Sequence, residues 1–132
     1  MTTAVVDASA AVDLLVAHPR TPAVRAAFKR IDAIAPMLLD AEVLRALVRR
    51  VRQGKLSPEH ADRALAFLST AQIERLPIDH LVRDAWALRN NVSPFDSIYV
   101  ALARRLGCPL VTCDRRLAGA PNLGITVTVV QA

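Results

Sequence analysis

The sequence has no apolar run long enough to cross a membrane. None of its 132 residues belongs to a run near the roughly 20 apolar residues that a membrane-spanning helix needs. The first residues lead into Ala4, Val5 and Val6 without a charged region and a cleavage site. We therefore expect a soluble, cytoplasmic protein without membrane contact. With 53% apolar residues, the chain suits a single domain over 1–132 with a sizeable core and is too short for a second.

Cysteine is scarce, with only Cys108 and Cys113 in the chain. If the residues between them form a strand, a rise of about 3.3 Å per residue separates the two thiols by roughly 16 Å, beyond disulfide reach. No third or fourth soft ligand lies nearby, so the pair is also a poor zinc site. We expect two free thiols, as in a reducing cytoplasm.

Lysine and histidine are also too few, or wrongly placed, for two classes of function. Lys29 and Lys55 are the only lysines, and both come early, whereas a phosphoacceptor signalling domain needs a lysine near a late strand. His18, His60 and His80 lie at the starts or ends of predicted helices. Since no serine stands on a glycine-flanked turn, a Ser/His/Asp hydrolase is disfavoured.

Short apolar runs alternate with helical patterns along the whole chain. The runs predict strands at 4–6, 33–36, 73–78, 109–112 and 126–129. Helical spacing and capping signals predict helices at about 7–16, 22–31 and 37–52, one that begins at 57, and others at 79–89, 93–106 and 114–117. A chain that alternates strand and helix in this way lays its strands parallel, so we predict an α/β fold.

Four acidic residues, Asp7, Glu42, Asp96 and Asp114, lie just after strand-like runs or in the first turns of the helices that follow. In a parallel sheet these positions collect at one edge, where such folds place their active sites. Four carboxylates there repel one another unless a cation lies between them. Oxygen ligands without histidine favour Mg²⁺, with Mn²⁺ as a substitute, over Zn²⁺. The four acids are therefore predicted as metal ligands and catalytic residues.

Each of the four acids also has an ordinary structural explanation. Asp7 and Asp114 could be simple N-caps of the helices that follow them. Asp96 lies three residues after Ser93, which is the capping-box spacing. These roles do not exclude metal binding, because a capping carboxylate keeps further oxygen lone pairs.

Glu42 lies in an apolar helical segment and could be paired with Arg45 or Arg49, about one turn or two away. Asp40 competes with it as the site residue. The two lie about 200° apart around a helix of 3.6 residues per turn, so both cannot point at one site. Periodicity alone does not choose between them. We assign Asp40 to the first turn of the helix, where the dipole favours an acid.

The remaining charge is strongly basic. Lys and Arg number 17 against 12 acidic residues, a net charge of +5. A metal enzyme that acts on a polyanion fits this balance, although solvated surface arginines fit it equally well. Arg115 and Arg116, next to Asp114, are the candidates for phosphate contacts; a solvated helix face is the alternative.

Four segments together resemble a known family: Val5–Ser9, Glu42–Leu47, Phe95–Ala103 and Leu110–Leu117. In order and spacing they are similar to the PIN-domain ribonucleases, above all to the VapC toxins of bacterial toxin–antitoxin pairs. Cys113, where a small residue is expected, and Phe95, where tyrosine is common, depart from the pattern.

The resemblance implies a three-layer α/β/α sandwich on a five-stranded parallel sheet and Mg²⁺-dependent endoribonuclease activity. It implies that Asp7, Glu42, Asp96 and Asp114 form the catalytic and metal-binding quartet. Ser9 and Thr112 would be the supporting hydroxyls. The implied partners are RNA, a VapB-type antitoxin and a second copy of the chain. The alternative is a catalytically silent PIN-fold module that only binds nucleic acid.

A homodimer is also suggested by apolar residues that exceed what one small sheet can cover. An apolar face left exposed marks a partner site. The residues concerned are Met37, Leu38, Leu39, Val43, Leu47, Leu65, Phe67 and Leu68.

Overall fold

The computed structural model describes every residue from Met1 to Ala132. Its strands are β1 (Thr2–Val6), β2 (Ile31–Pro36), β3 (Ile73–Leu76), β4 (Leu110–Thr112) and β5 (Val127–Val129). Its helices are α1 (Ala8–Leu15), α2 (Thr21–Phe28), α3 (Leu38–Arg52), α4 (Pro58–Thr70), α5 (Val82–Ala87), α6 (Pro94–Leu106) and α7 (Arg115–Gly119). None of the helices is both long and apolar enough to span a membrane.

The five strands form one sheet in the order β3-β2-β1-β4-β5, and every neighbouring pair is parallel. The predicted α/β fold on a five-stranded parallel sheet is therefore confirmed. β1 is the central strand, and Val5 and Val6 are completely buried in it. All strands leave the sheet at the same edge, and the segments that carry Asp7 and Asp114 follow β1 and β4 directly.

Helix α6 is the most deeply buried helix of the fold, since every residue from Ser97 to Ala103 is buried. It begins with Ser93 as N-cap and Pro94 in its first turn, and it ends at Gly107. Gly107 has a φ of 63°, a left-handed conformation that glycine adopts at little cost. The helix lies against β1, β2 and β4, which fixes its first turn, with Asp96, near the edge where the strands end.

The structure corrects several predicted boundaries. Helix α2 ends at Phe28, and Ile31, predicted to close it, instead begins β2 and pairs with Thr2. Strand β3 ends at Leu76 rather than at 78. The helix predicted over 79–89 is a 3-10 turn over Asp79–Leu81 followed by α5. Short apolar segments satisfy helical and extended spacing alike, so pairing with distant strands decides their conformation.

The apolar surplus that suggested a dimer is mostly core. Leu39, Val43, Leu47 and Leu68 are buried, and Leu38 and Leu65 pack against the same core. That part of the surface argument was wrong, because the helices cover one another as well as the sheet. The large apolar side chains that do remain exposed are Met1, Met37, Leu44, Phe67, Val82, Trp86, Phe95 and Leu106. Both cysteines are free thiols, as expected.

Candidate active site

Asp7 lies where the chain leaves the central strand, and it is the N-cap of α1. Its Oδ1 accepts hydrogen bonds from Ser9 Oγ at 2.7 Å and from the Ala10 backbone N–H at 3.1 Å. Its Oδ2 accepts a hydrogen bond from Thr112 Oγ1 at 2.5 Å. The residue is only 5% exposed. Both carboxylate oxygens are therefore held in one orientation by donors from β4 and from α1.

Ser9 and Thr112 join the ends of β1 and β4 into one polar network. Ser9 Oγ accepts a hydrogen bond from the Cys113 N–H at 2.9 Å, and Thr112 Oγ1 accepts one from the Asp114 N–H at 3.0 Å. The two hydroxyl oxygens lie 3.2 Å apart. Each hydroxyl has one proton, and each donates it to Asp7. The two residues predicted as supporting hydroxyls thus both contact the Asp7 carboxylate.

The pKa of Asp7 is raised from 3.8 to about 6. Burial is the main cause, because removing a carboxylate from water disfavours its charged form. The hydrogen bonds from Thr112, Ser9 and Ala10 lower the pKa, and the charge of Asp96 raises it. Asp7 has hydrogen-bond donors but no cation of its own, so its negative charge is incompletely compensated.

Glu42 projects from the first half of α3 and lies beside Tyr99 of α6. Burial raises the pKa of Glu42; the Tyr99 hydroxyl lowers it, Asp96 raises it, and Arg45 lowers it. Glu42 Oε1 and Tyr99 Oη are both buried, yet neither has a hydrogen-bond partner of good geometry. The predicted alternative, an ion pair of Glu42 with Arg45 or Arg49, is absent from the five ion pairs of the structure.

Tyr99 was not singled out from the sequence. It is the only tyrosine of the chain and stands one helical turn after Asp96 in an otherwise apolar run. That spacing, i to i+3 on a helix, was the available signal. Burial also raises the pKa of Tyr99, with further contributions from Glu42, Asp7 and Asp96, so its hydroxyl stays a proton donor.

Asp96 occupies the first turn of α6, and its N–H donates to Ser93 Oγ at 3.4 Å. This is one half of the predicted capping box. The carboxylate makes no hydrogen bond within the chain, which leaves both of its oxygens free. Since its charge raises the pKa of both Asp7 and Glu42, the three side chains share one electrostatic environment. We call Asp7, Glu42 and Asp96 the acidic pit.

Asp114 differs from the other three acids because its carboxylate already forms an ion pair, with Arg116. It caps α7, accepting from the Arg116 N–H at 2.9 Å, and it also accepts from Arg116 Nε at 3.2 Å and Nη2 at 3.1 Å. The Arg116 side chain lowers the pKa of Asp114. Arg115 makes only a 3.4 Å contact with Gln131 Oε1.

Asp40 is confirmed in the first turn of α3. It forms an ion pair with Arg75, whose Nη2 lies 3.0 Å from Oδ1 and whose Nε lies 3.2 Å from Oδ2. Arg75 belongs to β3, at the far side of the sheet from β4. Glu42, and not Asp40, is therefore the α3 acid that faces the pit.

A hard divalent cation suits the chemistry of these donors. In the present side-chain positions no three acidic residues are close enough to hold one ion together. The donor set is nevertheless all oxygen, with ionisation opposed by burial at Asp7 and Glu42. Glu42 Oε1 is a buried acceptor without a donor, and such an atom costs free energy unless a partner satisfies it. A bound Mg²⁺ or Mn²⁺ would satisfy it.

A cleft of about 550 Å³ adjoins the pit. One part of its wall is formed by Ser9, Glu42 and Asp114. The rest of the wall combines apolar residues with arginines and with Asp13, which is buried and pairs with Arg20 at 2.8 Å. The charged residues that line the cleft and were not predicted as site residues are Asp13, Arg20, Arg45, Arg49 and Arg50.

Comparison with known proteins agrees with this geometry. The PIN domain profile matches residues 4–123. The chain is 43% identical over 129 residues to Ribonuclease VapC1 of Mycobacterium tuberculosis, covering 96% of this chain and 97% of the relative. It is 44% identical over 117 residues to Ribonuclease VapC3 of the same species, covering 88% and 85%.

Among solved structures, a toxin–antitoxin complex from Klebsiella pneumoniae contains a chain with the same fold. The TM-score is 0.67 at 16% identity, and the match covers 98% of both chains. A profile match over most of the sequence, relatives above 40% identity over nearly their whole length and a shared fold lead to one conclusion: the chain belongs to the PIN-domain family, among the VapC ribonucleases.

Proposed function

We propose that this protein is a Mg²⁺-dependent endoribonuclease, able to use Mn²⁺, and that it acts in the cytoplasm as the toxin of a toxin–antitoxin pair. The observation that carries the proposal is Asp7, a buried carboxylate with three hydrogen-bond donors, no counter-ion and a pKa raised to about 6. The names of VapC1 and VapC3 support RNA as the substrate.

Asp7, Asp96 and Glu42 would hold the cation, and Asp114 would complete the set from the end of β4. When bound, a divalent cation lowers the pKa of water and offsets charge on the phosphate. The Asp96 carboxylate makes no hydrogen bond, and Glu42 Oε1 has no hydrogen-bond donor. These oxygens can therefore bind a cation without breaking an existing contact.

The other side chains of the site orient these carboxylates. Ser9 donates to Oδ1 of Asp7 and Thr112 donates to Oδ2, and since the Ala10 N–H also binds Oδ1, Oδ2 keeps one lone pair for a cation. Tyr99 lies beside Glu42 and would donate its hydroxyl proton to that carboxylate. Preorganised donors of this kind fix ligand geometry and are typically worth about 10- to 100-fold in metal affinity or activity.

Phosphate contacts near β4 would come from Arg115 and Arg116. Arg116 also forms an ion pair with Asp114, so part of its guanidinium is already engaged by that carboxylate. Its side chain is 92% exposed, which leaves its other nitrogen free for a phosphate oxygen. Arg115 has no ion pair in the structure and adds a second positive charge at the same place.

The protein partners are a VapB-type antitoxin and a second copy of the chain. An apolar groove of about 1570 Å³ near α2 and α4 offers the antitoxin a surface, and an arginine or bulky side chain of the antitoxin would enter the pit.

Trp86, 67% exposed, and Met37, 54% exposed, give a homodimer apolar contacts. A monomer in light scattering at micromolar concentration would contradict the dimer.

One observation favours the catalytically silent alternative. The acids do not yet form a three-ligand cluster, and a module that only bound nucleic acid would need no such cluster. The two functions differ in one measurable respect, since only the enzyme converts RNA into shorter products when Mg²⁺ is added.

The test uses purified protein and labelled single-stranded RNA with Mg²⁺, with Mn²⁺ or with excess EDTA. Asp96→Asn is the control for contaminating nuclease, because it changes one charge without changing shape. We expect cleavage with either metal, none in EDTA and none by the variant. Absence of cleavage by the wild-type protein would favour the silent module, and undiminished cleavage in EDTA would contradict the metal site. Saturating cognate antitoxin should stop the reaction.

A further inference from the structure

One face of α3 carries arginines in line with the acidic pit. Arg45, Arg49 and Arg50 follow Glu42 by three, seven and eight residues. Residues at these spacings share one face of a helix with 3.6 residues per turn. The structure bears this out, since all four line the same cleft of about 550 Å³. The basic face therefore begins at a residue of the pit and leads away from it.

These arginines have no acidic partners. The five ion pairs of the structure involve Arg20, Arg75, His80, Arg105 and Arg116, and none involves an arginine of α3. Arg45 and Arg49 are exposed and Arg50 is half-buried. Across the cleft, Arg20 is already bound to Asp13. The cations of the cleft that form no ion pair thus all lie on the α3 wall, where Arg45 interacts with the charge of Glu42 only beyond ion-pair distance.

Helix geometry alone accounts for only part of this face. Arg49 and Arg50 lie in the last turn of α3, where the helix dipole favours cations. Arg45 lies in the middle of the helix, where the dipole contributes little. With a rise of 1.5 Å per residue, Arg45 and Arg49 are about 6 Å apart along the axis. Like charges one turn apart repel each other, so a linear anion would relieve the repulsion.

We propose that Arg45, Arg49 and Arg50, here called the arginine track, bind the phosphates of the RNA strand that runs from the scissile phosphate along α3. The inference rests on the proposed function for the identity of the polyanion. No aromatic side chain lines the cleft, so bases find no aromatic ring to stack on there. The track contacts the backbone and reads no sequence.

The track predicts a specific change in the salt dependence of RNA binding. The experiment compares Asp96→Asn with the same protein carrying Arg45→Ala and Arg49→Ala; the background substitution prevents cleavage. Fluorescence anisotropy with labelled polyuridine RNA at constant Mg²⁺ gives the Kd over a salt series. Each lost contact lowers the slope of log Kd against log salt by about 0.7 for a single strand. We expect a decrease of about 1.4 and at least a tenfold weaker Kd at low salt.

A matched control removes the same charge elsewhere. Lys29 and Arg30 are exposed and directly precede β2, so they lie at the opposite edge of the sheet from the pit. Lys29→Ala with Arg30→Ala should leave the slope nearly unchanged, and Arg45→Lys with Arg49→Lys should largely preserve it. Polyadenine RNA should lose the same affinity as polyuridine when the track is removed, because the bases are not read.

Three results would overturn the track: an unchanged slope in the double alanine variant, an equal loss in the Lys29 and Arg30 control, or a loss confined to one RNA sequence. Unfolding of the variants is checked by their melting temperatures. The binding series does not depend on catalysis. Failure of wild-type cleavage would therefore count against the proposed enzyme, whereas an unchanged slope would count against the track alone.

Discussion

The chain segments that follow β1 and β4 share the same local structure but differ in their electrostatics. Each is followed by an aspartate that caps the next helix, Asp7 through the Ala10 N–H and Asp114 through the Arg116 N–H. Asp7 is 5% exposed and faces no cation. The side chain of Asp114 is 25% exposed and is bound by the guanidinium of Arg116. The pKa is raised at Asp7 and lowered at Asp114.

This difference shows that capping and charge balance are separate properties. A cap needs only one carboxylate oxygen and a nearby N–H, and both aspartates supply it. The balance depends on what packs around the second oxygen. At β4 a counter-ion from the same short helix is already present. Around Asp7, at the end of β1, there are only hydroxyl and amide donors. A divalent cation would therefore compensate more negative charge there than at Asp114.

The largest expected effect separates the two aspartates in catalysis. Asp7→Asn should reduce the single-turnover rate on RNA at saturating Mg²⁺. The loss should exceed the roughly 10- to 100-fold that is typical when a residue that only orients a metal ligand is replaced. Asp114→Asn should cost only about tenfold, because its charge is already balanced by Arg116. Both variants should keep the wild-type circular dichroism spectrum. Equal losses would remove the distinction between the two strand ends.

The next prediction concerns stability in EDTA. The pKa of Asp7 is 3.8 when unfolded and about 6 when folded, so the folded state binds its proton more tightly. The contribution of Asp7 to stability is then fully present below about pH 4 and is lost as the pH rises through 6, by on the order of 3 kcal/mol. The melting temperature of the wild-type protein should fall over this range relative to that of Asp7→Asn.

Asp114 provides the opposite sign for the same experiment. Its pKa is lowered in the fold, so its ionised form stabilises the protein above the unfolded pKa, and this contribution is lost as the pH falls. Asp114→Asn should therefore be less stable than the wild-type protein at neutral pH, whereas Asp7→Asn should be more stable. Parallel curves of melting temperature against pH for the wild-type protein and Asp7→Asn would contradict the assigned pKa.

Thr112 links the two strand ends and gives the third prediction. Its hydroxyl donates to Asp7 and accepts from the Asp114 N–H, and the bond to Asp7 lowers the pKa of that carboxylate. Thr112→Val keeps the shape and removes the hydroxyl. We expect about a tenfold loss of activity and an acid limb of the pH–rate profile at higher pH, because Asp7 must ionise to bind the cation.

Thr112→Ser is the control, since it keeps the hydroxyl and loses only a methyl group. Its acid limb should stay at the wild-type position. If the valine and serine variants shift the profile equally, the hydroxyl does not set the pKa of Asp7.

The smallest effect is expected at Arg116. Arg116→Ala releases Asp114 from its counter-ion, so Mn²⁺ measured by calorimetry without RNA should bind more tightly, by less than about fivefold, since exposed ion pairs are weak. Arg115→Ala removes the same charge without touching Asp114 and should leave the Mn²⁺ affinity unchanged. Weaker binding in Arg116→Ala would mean that the arginine supports the site rather than competing for Asp114.

Much of the fold followed from local patterns. The five strands and the alternation with helices were recognisable because strand and helix periods and capping residues act over a few neighbours. Ile31 shows the limit of such patterns. It fits the helical spacing of α2, yet it pairs with Thr2 in the sheet, and only the position of β1 decides between the two conformations.

The site was predictable to a similar degree. Asp7 and Asp114 could be chosen from their places after strands, and Glu42 and Asp96 from their places near the starts of helices; their role as metal ligands stays a prediction. Asp40 could be set apart from Glu42 by the helix dipole. The pairing of Asp40 with Arg75, the orphaned oxygens of Glu42 and Tyr99 and the basic wall of the cleft were not visible, because each depends on residues from different elements.

By itself the sequence determined the order of strands and helices, the caps at Asp7, Ser93 and Asp114, and the placing of carboxylates where strands end. These depend on hydrogen bonds and side-chain periods within one or two turns. Tertiary structure alone decided which carboxylate lacks a counter-ion. Asp7 accepts a hydrogen bond from Thr112, 105 residues away, and the surrounding core shields it from water. Desolvation and long-range charge act through space, so the same capping aspartate becomes an uncompensated site at β1 and a neutralised one at β4.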